Sequence, residues 1–122
     1  MITFSIDDQA NVAEEIAKIM GEIDPDGTHK AYSSIDDALK FVEEAKPDVA
    51  WLDIEMPEMS GLELAMKVKR LSPKTNIVFV TGHEKFAYQA FQSHASGFVL
   101  KPATKEALQR ELDNLRTLIE DR

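Results

Sequence analysis

The chain has 122 residues, 43% of them hydrophobic and 30% charged, which is room for one domain around one core. It has no cysteine, which excludes disulfides and thiolate metal sites and fits a reducing cytosol, and it shows neither a signal-peptide pattern nor an apolar run long enough to span a bilayer. The formal net charge of −8 divides into −11 over residues 1–60 and +3 over residues 61–122, and so acidic a first half repels phosphate backbones, arguing against direct nucleic-acid binding.

Strand-like and helix-like patterns alternate along the chain. Ile2–Ile6 reads as a strand that runs into Asp7 and Asp8. The first helix carries Val12, Ile16, Ile19 and Met20 on one face, at a spacing near 3.6 residues. Asp24-Pro25-Asp26-Gly27 marks a turn, and Thr28–Ser33 is the weakest strand run. The second helix carries Ala38, Phe41, Val42 and Ala45, and Lys46-Pro47 separates it from Val49–Leu52. That run is continuously apolar, reads as a central strand buried on both faces, and ends at Asp53. Ser60-Gly61-Leu62-Glu63 fits a capping box for a third helix with Leu64, Ala65, Val68 and Leu71 inward, closed by Ser72-Pro73. Lys67, Lys69, Arg70 and Lys74 read as a solvated helix end. Ile77–Val80 is a second central strand and runs into Thr81. A short aromatic helix follows with Phe86, Ala87, Ala90 and Phe91, then the strand Phe98–Leu100 ending at Lys101, then a helix with Leu108, Leu112, Leu115 and Ile119.

Five such units, (βα)₅, require right-handed crossovers and a parallel sheet with helices on both faces. The natural solution is one doubly wound α/β domain over residues 1–122, a three-layer sandwich with strand order 2-1-3-4-5. The first and third strands are then neighbours at the switch point, where such sheets bind ligands. That places Asp7, Asp8 and Asp53 together, with Thr81 and Lys101 on the same edge. Three carboxylates in one crevice repel and raise one another's pKa. A hard divalent cation removes the problem, and Mg²⁺ takes oxygen ligands with several waters retained. A phosphoryl group arriving there would meet Lys101 and Thr81. Asp53, central at the end of a buried strand, is the candidate nucleophile for an aspartyl phosphate.

The pieces Ile6-Asp7-Asp8, Leu52-Asp53-Ile54-Glu55-Met56-Pro57, Ser60-Gly61, Val80-Thr81-Gly82 and Leu100-Lys101-Pro102 occur in order over essentially the whole chain. With them the sequence resembles the receiver domain of bacterial two-component response regulators, which has the flavodoxin-like fold. The resemblance implies that Asp53 accepts phosphate from a phosphohistidine on a sensor histidine kinase. It implies Mg²⁺ (or Mn²⁺) held by Asp8, Asp53 and the Glu55 backbone carbonyl, with Asp7 acting through a metal-bound water. Thr81 and Lys101 would contact the phosphoryl oxygens, and Lys101-Pro102 would be a cis peptide. Thr81 and Phe98 would form a switch that reshapes the face of the fourth helix, fifth strand and fifth helix, with a homodimer through that face as one arrangement it admits. Phe98 lacks the hydroxyl of relatives with tyrosine there. The wording from Phe79 to Phe91 and at Asp53–Pro57 looks like receivers attached to LytTR-type DNA-binding domains, so the implied output is transcription in the cytoplasm, through a domain outside this chain. The domain's own chemistry would be limited to assisting its phosphorylation and dephosphorylation.

Other readings stand beside these. Asp7-Asp8 could cap the first helix, Thr81-Gly82-His83-Glu84 is also a capping-box pattern, and Phe98 could be plain core. Of Phe86, Tyr88 and Phe91, two are expected to be packing. His29, His83 and His94 lack metal-ligand spacing, and His83, near the crevice mouth, is a candidate influence on water attack at the phosphoryl group. A haloacid-dehalogenase-type phosphatase would want an aspartate where Glu55 stands, and a flavodoxin-like electron carrier would be repelled at Asp7-Asp8. A stand-alone receiver, acting in a phosphorelay or as a docking module, is the alternative within the same class.

Overall fold

The computed structural model describes residues 1–92, 95–115, 117 and 119, so His94 lies outside it. Strands β1 (Ile2–Ile6), β2 (Thr28–Tyr32), β3 (Val49–Asp53), β4 (Asn76–Thr81) and β5 (Gly97–Leu100) form one parallel sheet in the order β2-β1-β3-β4-β5. Helices α1 (Ala10–Ile23), α2 (Ile35–Ala45), α3 (Gly61–Leu71), α4 (Ala87–Gln92) and α5 (Lys105–Leu112) alternate with the strands, and a single 3₁₀ turn at Glu84–Phe86 precedes α4. This is the doubly wound, flavodoxin-like arrangement that the alternation demands.

Alternation along the central strands divides the core in two. Phe4, Ile6, Ala50, Leu52, Ile77 and Phe79 face α2, α3 and α4. Val49, Trp51, Val78, Val80 and Val99 face α1 and α5, against Ile16, Ile19, Met20 and Leu108. Every residue of β3 and β4 is buried, as a strand covered on both faces should be. Ser34, Ser60 and Thr104 cap α2, α3 and α5, each side chain accepting from the backbone N–H three residues on. These caps fix where the loops at the carboxyl edge of the sheet end.

Three packing expectations change. α1 turns Ala13 inward rather than Val12, which is only half-buried. Phe86 packs against the core, but Tyr88 and Phe91 are 69% and 74% exposed, so one of the three aromatics is packing and not two. A six-residue helix buries one position, and Ala90 takes it. Finally, α5 ends at Leu112, so Leu115 and Ile119 pack against the core from beyond the helix. Beyond the helix the chain meets Asn76, which is buried. Its side-chain amide donates to the Thr117 carbonyl and accepts from the Thr117 N–H, both at 2.8 Å. Those peptide groups are thereby removed from helical pairing.

Candidate functional site

Because all five strands are parallel, their carboxyl ends share one edge. Register aligns them: Ile6 pairs with Leu52, Asp53 with Val80 and Thr81 with Leu100. β1 delivers Asp7, which is buried, and then Asp8, which is exposed. β3 delivers Asp53, only 4% exposed, and β4 delivers the fully buried Thr81. Lys101 follows β5 immediately, and its peptide bond to Pro102 is cis.

Asp7, Asp8 and Asp53 each offer a carboxylate oxygen, and these atoms lie within 4.8 Å of one another. Lys101 Nζ donates to Asp7 Oδ2 at 2.7 Å and to Asp53 Oδ1 at 3.4 Å. The ammonium therefore sits between the two buried acids and is shorter to Asp7. Asp7 does more than face the crevice: its other oxygen, Oδ1, accepts from the Gln9 N–H at 2.9 Å, fixing the entry to α1. The helix-capping and charge roles weighed from the sequence thus coexist in one side chain, although the position at the N-cap itself is Gln9.

The electrostatics are unbalanced. Asp53 is pushed up from 3.8 to about 6, first by burial and then by the Asp7 charge; Lys101 and a hydrogen bond from the Glu55 backbone oppose this without cancelling it. Lys101 ends above its ordinary value. Burial pulls it down, and the bond to Asp7 with the charges of Asp53 and Asp7 outweighs that pull. One ammonium does not neutralise three carboxylates. The donor set is all hard oxygen, close-set and short of positive charge, which fits a cation of the Mg²⁺ or Mn²⁺ type and not a thiophilic metal.

The rim is built by contacts that the sequence did not show. His83 Nε2 stands 3.2 Å from Glu55 Oε1, joining the loops after β4 and β3 across the mouth. Both side chains are about half exposed, so this contact positions more than it stabilises. The Thr81 hydroxyl oxygen accepts from the His83 N–H at 3.3 Å, so Thr81 orders the start of that loop and does not cap the following helix through the alternative capping-box pattern. Gly61 is a close-approach position. A Cβ there would collide with the Asp53 carbonyl oxygen, and its N–H bonds the Ile54 carbonyl at 2.8 Å. The capping-box pattern flagged Ser60-Gly61 in the sequence, but only the fold shows what the glycine leaves room for. Phe98 is half-buried against the core side that holds α2, α3 and α4.

Comparison with known proteins agrees with this geometry. Residues 3–113 match the response regulator receiver domain family. An uncharacterized response regulatory protein of Vibrio cholerae is 37% identical over 112 residues, covering 90% of this chain and 46% of that protein. The sensory transduction protein LytR of Staphylococcus haemolyticus is 28% identical over 116 residues, covering 95% of this chain and 45% of that protein. The chain spans about half the length of the curated relatives it matches. Among solved structures, a response regulator receiver domain protein from Clostridium thermocellum superposes with a TM-score of 0.80 at 26% identity, covering 93% of this chain and 91% of that one. The family match over nearly the whole chain, on this strand order and around this acidic crevice, means that the chain belongs to the response regulator receiver domains, which are signalling phosphoacceptors and not enzymes in their own right.

Proposed function

We propose that residues 1–122 form one receiver domain that accepts a phosphoryl group on Asp53 from the phosphohistidine of a sensor histidine kinase. The observation that carries this is the convergence of Asp7, Asp8 and Asp53 on one edge with the Lys101 ammonium between two of them. An Asp53 oxygen attacks phosphorus, the donor's N–P bond breaks, and its electron pair leaves with the imidazole. Asp53 is suited to this because it is buried, central and under-neutralised, so an electrophile relieves its charge. Lys101 stabilises the negative oxygens of the incoming group, and the Thr81 hydroxyl donates to another of them. Asp8, Asp53 and the Glu55 carbonyl, with Asp7 through water, would hold Mg²⁺ (or Mn²⁺), whose chemistry is charge neutralisation and alignment.

Phosphorylation then biases a two-state packing. Thr81, turning toward the phosphoryl group, frees space for Phe98 to move inward. The face of α4, β5 and α5 changes shape and presents Tyr88 and Phe91, which are exposed there. A homodimer through that face follows. The output is transcription, through a LytTR-type DNA-binding domain of the full-length protein in the cytoplasm. The Phe79–Phe91 wording and the similarity to LytR support that reading. Among the described residues, no helix is long and apolar enough to cross a membrane.

The test is incubation with Mg²⁺ and a small acyl phosphate. Intact-mass measurement is expected to show one added phosphoryl group on the parent chain and none on Asp53→Asn. Full labelling of Asp53→Asn would overturn the assignment.

A further inference from the structure

Glu111 is a carboxylate placed where its own helix disfavours one. It is the penultimate residue of α5, and the last turn of a helix carries partial negative charge that favours bases. Arg110 beside it follows that preference; Glu111 opposes it. Its partner explains the placement: Glu111 Oε1 accepts from the backbone N–H of Phe98 at 3.0 Å. β5 is an edge strand, paired with β4 on one side. The Lys101 N–H turns inward to the Thr81 carbonyl at 2.7 Å, and strand alternation turns the Phe98 N–H, three residues earlier, outward to α5. A hydrogen bond to an ionised carboxylate is about twice as strong as a neutral one.

Gly97 provides an independent sign that this contact is built. Its backbone is not in the left-handed region, so nothing in its conformation calls for glycine. Yet a Cβ at Gly97 would stand 2.8 Å from both Cδ and Oε1 of Glu111. The absent side chain is the space into which the carboxylate fits. Glycine on β5 and glutamate on α5 are a matched pair, and the bond they permit is to the backbone of Phe98.

We infer that Glu111 is a positioning residue that makes β5 and α5 move as one body, so that rearrangement at Phe98 is transmitted to α5. This rests on the reading of Asp53 as phosphoacceptor and of Phe98 as part of the switch. Leu108 anchors α5 in the core beside Val99. Glu111 adds a directional link to the strand's backbone, which an apolar contact does not supply.

The experiment is amide hydrogen exchange on the whole chain, with Mg²⁺ alone and with Mg²⁺ plus beryllium fluoride as a phosphoryl mimic. In the parent protein the mimic is expected to change exchange in peptides covering β5 and in peptides covering α5. Glu111→Ala is expected to keep the β5 response and reduce the α5 response at least five-fold; the retained β5 response shows that the variant is folded and binds the mimic. Glu111→Gln, which keeps an acceptor, restores the α5 response in large part. Gly97→Ala, which displaces the carboxylate from the opposite side, reproduces the loss. An α5 response in Glu111→Ala or Gly97→Ala equal to the parent's would overturn the coupling role. No response anywhere in the parent would overturn the phosphoacceptor reading itself, and the coupling with it.

Discussion

The two edges of the sheet bury polar groups in opposite ways. At the amino edge every polar group of Asn76 is used. Its amide donates to the carbonyls of Asp48 at 3.1 Å and Thr117 at 2.8 Å, and it accepts from the Ser96 hydroxyl and the Thr117 N–H, each at 2.8 Å. Beside it Asp48 Oδ2 accepts from the Ile2 N–H at 2.7 Å, and the Thr75 hydroxyl lies 2.6 Å from the Pro47 carbonyl. At the carboxyl edge, by contrast, Asp53 keeps a raised pKa although Lys101 and Glu55 both contact it. A satisfied polar network stabilises a fold, whereas an unbalanced one holds free energy that a ligand can release. The same sheet therefore has a structural edge and a reactive edge, and substitutions at the two should differ in sign.

The largest effect is expected at the structural edge. Asn76→Leu leaves the Thr117 N–H, the Ser96 hydroxyl and the carbonyls without that partner, and should destabilise the chain by about 3 to 4 kcal/mol in urea unfolding. An unchanged unfolding midpoint would remove the contrast between the edges.

The next effect has the opposite sign. The folded-state pKa of Asp53, about 6, lies above the unfolded 3.8, so the fold binds the proton more tightly than the unfolded chain. The resulting stabilisation is fully present below pH 3.8 and is lost as pH rises through about 6. At pH 7 without divalent cation, Asp53→Asn should therefore unfold with about 2 to 3 kcal/mol more stability than the parent. The gap should open between pH 4 and 6 and shrink toward zero in more acid solution, as seen in unfolding curves collected across that range. A variant less stable than the parent at pH 7 would show that Asp53 is already neutralised by its neighbours.

A smaller effect separates charge relief from simple burial. Mg²⁺ at ten times its dissociation constant should raise parent stability by about 1.4 kcal/mol, and raise that of Asp53→Asn by less at the same concentration. Equal shifts in both would place the cation elsewhere. Smallest of all, His83→Ala should change stability by less than about 0.5 kcal/mol, because the contact with Glu55 is solvent-screened. It should nonetheless alter the rate at which phosphoryl groups are lost, followed by intact mass; an unaltered rate would leave the rim without influence on water attack.

What was legible in the sequence follows from the same contrast. Val49–Leu52 and Ile77–Val80 are continuous apolar runs because both faces of those strands are covered, and the polar residue that ends each run is still buried, at the carboxyl edge of the sheet. The strand order, and with it the meeting of Asp7, Asp8 and Asp53, came from alternation taken with the right-handed crossover rule and the common order of doubly wound sheets. The fourth helix was not legible in this way. Aromatic residues at helical spacing look like core, and only the brevity of α4 leaves Phe91 outside. Leu115 and Ile119 kept the helical period, but α5 ends at Leu112, and beyond it Thr117 is held by Asn76, some forty residues away in sequence, a partner no local pattern shows. Glu111 carries no motif and Glu55 entered the sequence reading only through its backbone carbonyl and its place two residues after Asp53; their side-chain partners, the Phe98 N–H and His83, are brought to them only by the fold.

The central claim is chemical and local: the acid at the end of β3 becomes the acyl phosphate. Borohydride reduction of the phosphorylated chain converts an acyl phosphate to an alcohol, so the acceptor aspartate becomes homoserine and can be located by peptide mass spectrometry. Homoserine at residue 53 alone is the predicted result. Homoserine at Asp7 or Asp8, or a stable phosphoryl group that borohydride leaves untouched, would contradict it.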